Sequence, residues 1–348
     1  MGQPIPPPPS SSALYRAGRR ARWRGRGGRR RLWRRILVVL SVLVVLVFAG
    51  GAALYVWADG RLRQVAAIGD YAGRPAAGKG TNWLLVGSDS RAGLTPAQRE
   101  ELHVGNDGGR NTDTVMVLHS GGHGPYLVSI PRDSYVRVPG HGRRKINEAY
   151  ADGGPKLLTR TVEQATGLRI DRYAEVSFLG LVRVVDALHG VRMCLDKPLK
   201  DARSGADFRA GCQEMNGRQA LAYTRARYSD PEGDIGRVRR QRRLTAAVAG
   251  GMLGSGVYLN PFRWMPVAGA ALSAVRVDEG AGVAELVGMG RSMKKITGGG
   301  GRAVTVPVAR PGVVVGGAGD VLEWDERGAR RLFQALRDDD PIPTSDNN

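Results

Sequence analysis

Three residues with usable chemistry sit at the ends of short runs rich in β-formers: Asp89 in GSDSR (87–91), Asp113 in RNTDT (110–114) and Arg132 in SIPRD (129–133). The runs are Asn82–Val86, Thr114–His119 and Tyr126–Ile130, each bounded by Gly, Asp or Pro. If these strands are mutually antiparallel, the end of the first, the start of the second and the end of the third lie at one edge of the sheet. Two carboxylates beside an arginine there would seat Mg²⁺, with Mn²⁺ as the alternative, and a phosphate group. A hard cation takes one or two carboxylates and completes its shell with substrate oxygens. The plainer alternative is that an Asp after a strand serves the turn.

A second basic group lies in ALAYTRARYSDPEGDIGRVRRQRR (220–243). Arg225 and Arg227 alternate in what reads as an extended segment and would project to one side. Arg237 and Gln241 are four apart on an expected helix and share a face. Arginine's planar fork suits bidentate phosphate binding, so these four groups could clamp a pyrophosphate; a solvated basic helix face is the alternative. The five histidines (103, 119, 123, 141 and 189) fall in no metal-ligand spacing and read mostly as loop or surface residues. No GxSxG elbow is present, which argues against a serine hydrolase.

The elements that must position these groups are legible along the chain. SGGHGP joins the second and third strands as a hairpin. Phe178, Leu181, Val182 and Val185 recur at helical spacing, the helix stops at Gly190, and a strand follows at Val191–Leu195. A further helix is expected from Asp234 to Met252, and residues 254–338 alternate strands with helices as a completion of the same sheet. About 258 residues (81–338) are enough for one sizeable α/β domain. Residues 58–80 read as a linker and 339–348 as a polar tail.

The 348 residues carry a formal charge of +20 and are 42% hydrophobic, which excludes an acidic disordered chain and a small disulfide scaffold. Eleven arginines and no acidic residue fall within residues 1–35, leaving +9 for the rest. This segment opens with MGQPIPPPPSSS and is expected to be a disordered basic tail. Ile36 to Trp57 then runs for 22 residues without a charge, enough to cross a bilayer as a helix, with Trp23, Trp33 and Trp57 as interface anchors. A cleaved signal peptide is the competing reading, but no clear cleavage site precedes Asp59. Arginines immediately before the span would keep the N-terminus in the cytoplasm and place the remainder outside. Contact with anionic lipid accounts for the Arg/Gly tail more simply than nucleic acid, which is not expected as a partner. Cys194 and Cys212 would both lie on the oxidising side, as a disulfide closing a short loop or as two unpaired thiols.

Taken in order, GSDSR (87–91), RNTDTVMVLH (110–119), SIPRDSYV (129–136), KINEAY (145–150), VDALHGV (185–191), GRQALAYTRARY (217–228) and GDIGRVRRQ (233–241) resemble the LytR-CpsA-Psr family of bacterial cell-wall glycopolymer ligases, and its actinobacterial members in particular. The resemblance implies an α/β fold with a mixed central sheet flanked by helices, preceded by one transmembrane helix, and an apolar tunnel for a polyprenyl chain. The implied activity is Mg²⁺-dependent phosphotransfer of a glycopolymer from a polyprenyl-pyrophosphate carrier to peptidoglycan, with membrane lipids as further partners. Carried over by position, Asp89 and Asp113 would hold the metal, and Arg132, Arg225, Arg227, Arg237 and Gln241 would contact the headgroup. Lys145 matches a further polar position of the family site. Asp133 and Asp234 match positions that hold the arginine loops. The chain departs from the family at Asn111, where Arg is usual, so that Arg110 stands one residue further back. Tyr228 stands in place of His, and RRQRR replaces an RQQ-like ending. The alternatives from other classes are a non-catalytic polyprenyl-lipid-binding or regulatory membrane protein and a lipid pyrophosphatase.

Overall fold

The structure is a computed structural model that describes residues 11–88, 95, 112–226, 233–252, 254–258 and 260–342. It divides into two compact units, Met1–Trp57 and Ala58–Asn348. In the first, one helix beginning at Ser11 and ending at Asp59 carries both the basic segment and the apolar run. The expected disorder of the basic tail is therefore corrected from Ser11 onward. No proline follows Pro9 before Pro75, and Ala, Leu and Arg are strong helix formers. Within this helix Arg31–Asp59 is long and apolar enough to cross a membrane.

In the second unit the strands are β1 (Arg63–Val65), β2 (Thr81–Ser88), β3 (Thr112–Gly121), β4 (Gly124–Ile130), β5 (Tyr135–Val138), β6 (Gly142–Lys145), β7 (Arg172–Ser177), β8 (Val191–Leu195), β9 (Leu199–Asp201), β10 (Ala206–Phe208), β11 (Gly211–Met215), β12 (Val275–Asp278), β13 (Arg302–Thr305), β14 (Val308–Val315) and β15 (Gly319–Trp324). Seven of them form a mixed sheet in the order β1-β12-β7-β2-β3-β4-β13. β2 runs antiparallel to β3, and β3 to β4, as the strand ends required. β2 and β7 are parallel, as are β4 and β13.

Central strands must be covered on both sides, and their alternation supplies two apolar faces. On one, Leu84, Val86, Val117, Val128 and Tyr173 pack with Leu158 and Val162 of the helix Ile146–Thr166 and Phe333 and Leu336 of the helix Glu326–Asp338. On the other, Trp83, Leu118, Ala174 and Val277 meet Leu286, Met289 and Met293 of the helix Val283–Thr297. A separate core gathers Val185, Met193, Tyr223, Leu244 and Val248 from the helices Phe178–Ala187, Gly217–Arg225 and Gly233–Met252 and from the β8–β11 hairpin. Cys194 and Cys212 face each other in that hairpin and form a disulfide.

Two segments expected to be peripheral are built into the fold. The presumed linker 58–80 supplies β1, which pairs parallel with β12, and Ala67, which is buried. Its Arg74 reaches Glu163 at 3.0 Å and the Ile170 carbonyl at 2.9 Å. Three residues of strand are too few to show a period, so this segment read as linker. Of the presumed C-terminal tail, Asp339 accepts from Gly122 N at 2.6 Å and Ile342 is buried in the first core. His119, expected near the surface, is fully buried, with its Nδ1 2.9 Å from Asn82 Oδ1.

Candidate active site

β3 delivers the central carboxylate through an irregularity. Its register against β2 passes from Gly87↔Thr114 to Ser88↔Thr112, so Asp113 is the extra residue of a β-bulge. A bulge bends the strand and re-aims the side chain it carries. The Thr112 hydroxyl lies 3.0 Å from both the Gly87 and the Thr114 carbonyls and shares its single proton between them. Gly87 opposite eases the close approach, since a Cβ there would stand 3.0 Å from Thr114 Cβ and push it back by a few tenths of an ångström.

Asp113 thereby meets Arg132, which follows the end of β4: Arg132 Nη1 donates to Asp113 Oδ1 at 2.6 Å. Arg132 Nε also points to Asp133 Oδ2 at 3.4 Å, and Lys145 Nζ lies 3.2 Å from Asp133 Oδ1. Lys145 is the N-cap of the helix Ile146–Thr166. The loop between is locked to that helix and to β15 by backbone bonds from Ile146 N to Ser134 O, Asn147 N to Arg132 O and Leu322 N to Asp133 O. Side-chain exposures of 26% for Asp113 and 34% for Arg132 leave part of each side chain at the surface while their backbones are fixed.

The structure thus brings Asp113, Arg132, Asp133 and Lys145 into one charged cluster at the expected sheet edge. Asp89, Arg110 and Arg227 lie outside the described residues. Arg225 is the last residue of the helix Gly217–Arg225, not part of an extended segment. That helix starts from a full capping box, Asn216 with Gln219, a signal that places its N-terminus firmly. Arg237 and Gln241 lie one turn apart on the helix Gly233–Met252, as their spacing required, and Asp234 belongs to its first turn. Arg240 of the same helix, overlooked in the sequence as one of a basic run, is buried and donates through Nη2 to the Ala226 carbonyl. It ties this helix to the turn that follows Arg225.

The fit to a divalent cation can be judged from the donors. Among the described residues no group of three or more His, Cys, Asp or Glu converges as a self-sufficient metal cage. One half-open carboxylate at Asp113 suits a cation that draws most of its oxygens from substrate and water, which is the habit of Mg²⁺. Nearby in the chain, Asn147, whose backbone N donates to the Arg132 carbonyl, keeps a buried Oδ1 with no hydrogen-bond partner among the described residues. The residues present fit the group.

Residues 61–338 match the LytR_cpsA_psr family. The chain belongs to the LytR-CpsA-Psr family. Among its relatives is a probable cell wall biosynthesis protein, LcpB, of Corynebacterium glutamicum, 46% identical over 86% of this chain and 70% of that protein. A polyisoprenyl-teichoic acid–peptidoglycan teichoic acid transferase, TagU, of Bacillus cereus is 32% identical over 60% of this chain and 68% of its own length. In fold, the chain resembles the LytR-Csp2A-Psr enzyme from Actinomyces oris, with a TM-score of 0.54 at 18% identity over 80% of this chain and 96% of that one. The LytR-CpsA-Psr assignment spans all the elements of the central sheet except part of the connection before β1, including the presumed linker from residue 61.

Proposed function

We propose that this LytR-CpsA-Psr protein is a membrane-anchored phosphotransferase that moves a glycopolymer from a polyprenyl-pyrophosphate carrier to peptidoglycan. The observation that carries the reading is the Asp113–Arg132 pair, presented half-open by a bulge at a rigid sheet edge in a chain related to wall-polymer transferases. The helix within Arg31–Asp59 is the anchor, and the arginines that precede it hold the N-terminus in the cytoplasm.

In the transfer, an acceptor hydroxyl of peptidoglycan forms a new bond to the phosphorus that bears the glycan. The bond from that phosphorus to the carrier's bridging oxygen breaks, polyprenyl phosphate leaves with the electron pair, and the hydroxyl proton passes to solvent or a base. Arg132 brings its guanidinium charge to a phosphate oxygen while its Nη1 holds Asp113. Lys145, at the start of its helix, adds a point charge within reach of the same loop. Arg225, Arg227, Arg237 and Gln241 bind the carrier-side phosphate. Asp113 with Asp89 would hold Mg²⁺, or Mn²⁺, whose charge neutralises oxygens of the pyrophosphate. The protein's share of the catalysis is electrostatic and positional, as is usual in phosphoryl transfer.

The test uses the detergent-extracted full chain, a polyprenyl-pyrophosphate-linked glycan and peptidoglycan acceptor. Wild type should form the covalent glycan–peptidoglycan product, and Asp89→Ala should abolish it with the fold intact by circular dichroism. Full activity of that variant would remove the metal assignment. Accumulation of free glycan phosphate instead of product would make the protein a pyrophosphatase. Polyprenyl lipid that co-purifies with wild type and is lost from Arg225→Ala/Arg227→Ala would support the arginine clamp.

A further inference from the structure

Behind the candidate site a polar chain crosses the first core. Glu175, on β7, is fully buried and accepts from Tyr150 OH at 2.8 Å, Tyr173 OH at 2.9 Å and Arg276 Nη1 at 3.2 Å. Tyr150 OH in turn lies 3.3 Å from Ser88 Oγ, which donates to it. Tyr150 belongs to the same helix that Lys145 caps. Ser88 ends β2 and pairs with Thr112, one side of the Asp113 bulge, on one flank and with Ser177 of β7 on the other. Burial, followed by the neighbouring Glu175, raises Tyr150 to about 12, and the same causes push Tyr173 well above the ordinary phenol range. Both phenols are thus fixed as donors to the carboxylate at any working pH.

A buried carboxylate is costly unless fully hydrogen-bonded, and a hydrophobic residue on β7 would fill the same place more cheaply. Among the described residues three donors, one of them a guanidinium, satisfy this one, and Tyr150 carries the branch of the network that leads toward the bulge. Tyr173 and Arg276 lead to strands on the far side of β7 or along β7 itself.

We propose that Glu175 and Tyr150 are positioning residues of the transfer reaction: through Ser88 they hold the end of β2 against which the bulge aims Asp113. The inference rests on the phosphotransferase reading, because it assigns the brace a role in placing that site. It touches neither substrate nor metal and acts only by fixing where the carboxylate sits. Displacements of about 1 Å at such a group reduce rates by up to about a hundredfold.

The experiment compares Tyr150→Phe with Tyr173→Phe in the full chain. Each removes one phenol hydroxyl from Glu175, but only the first severs the link to Ser88. Three readouts are taken: melting temperature, kcat and KM for transfer, and the Mg²⁺ concentration that gives half of the Mg²⁺-induced rise in melting temperature. Both variants should melt lower by similar amounts. Tyr150→Phe should lose about tenfold or more in kcat with KM within about twofold, and should need several times more Mg²⁺ for half of the thermal shift. Tyr173→Phe should keep kcat and the Mg²⁺ requirement within about twofold. Ser88→Ala cuts the same link from its other end and should reproduce Tyr150→Phe, which also decides the matter if Tyr150→Phe does not fold. Equal behaviour of the two tyrosine variants, or a wild-type Ser88→Ala, would overturn the brace while leaving the phosphotransferase standing. Wild-type protein with neither transfer nor a Mg²⁺ response would overturn both.

Discussion

At the residue scale, Asp113 and Arg132 form a pair of unequal duties. Both are a quarter to a third exposed, so their mutual attraction is screened and contributes little to stability. Its value lies in orientation. Arg132→Ala should therefore leave the melting temperature within about 2 °C while reducing transfer on the order of a hundredfold; a melting curve and a product assay on the same preparation check both halves. His119 behaves in the opposite way, serving the fold alone. Burial holds its pKa below the ordinary histidine value and outweighs the pull of Asp339, 3.4 Å from Nε2. The unfolded chain thus binds a proton that the native state refuses, so stability is complete above about pH 6.5 and falls as the pH drops through 6.5 toward the folded-state value. Melting temperatures measured from pH 8 to pH 5 should decline in that window, and His119→Asn should flatten the decline. The types and spacings of Asp113, Arg132 and Lys145 made them legible as chemistry. The roles of His119 and Glu175 were not, since only tertiary burial distinguishes them from surface residues.

At the element scale, the strands and the β3–β4 hairpin could be read from alternation and turn residues, and the helix Phe178–Ala187 from its period. The helix Ile146–Thr166 escaped because Gly153, Gly154 and Pro155 look like a terminus. The chain indeed breaks helical geometry at Gly154, with φ 64°, and resumes. The bulge escaped for a different reason: a single extra residue changes no composition and is visible only as a register shift against a partner strand. Thr112→Val tests what holds it. The change keeps the shape but removes the one hydroxyl proton shared between the Gly87 and Thr114 carbonyls, at a cost of about 1–3 kcal/mol. The variant should melt several degrees lower and lose activity in step with Asp113 misplacement, read as a raised Mg²⁺ requirement. The disulfide is an element-scale staple across β8 and β11. It closes a sequence separation of 18 residues, for which loop entropy predicts about 3 kcal/mol. Cys194→Ser/Cys212→Ser should lower the melting temperature by roughly 10 °C without shifting KM for the lipid-linked substrate.

At the scale of the whole molecule, the folded unit begins at Ala58, immediately beyond the apolar run, and its first twenty-odd residues are structural. Arg74 decides how much. Its side chain is 8% exposed and Glu163, its partner, 1% exposed, with Ile170 N also donating to that carboxylate at 3.0 Å. Asp59 further accepts from Val283 N at 3.1 Å, at the head of the helix that covers the second sheet face. A chain starting at Thr81 would lose β1, Ala67 and Arg74 together and strip Glu163 of its charge partner. Breaking such a pair from one side costs about 3–5 kcal/mol, far more than the intact pair contributes. A chain starting at Ala58 retains every one of these contacts. In domains of about this size each kcal/mol moves the melting temperature by roughly 2–4 °C. Scanning calorimetry of the two truncations should therefore find the Ala58 chain folded and cooperative, and the Thr81 chain lower by on the order of 10 °C or unfolded. Equal melting of the two would return residues 58–80 to the role of a linker. It would also mean that the edge strand β1 adds nothing to the sheet it completes.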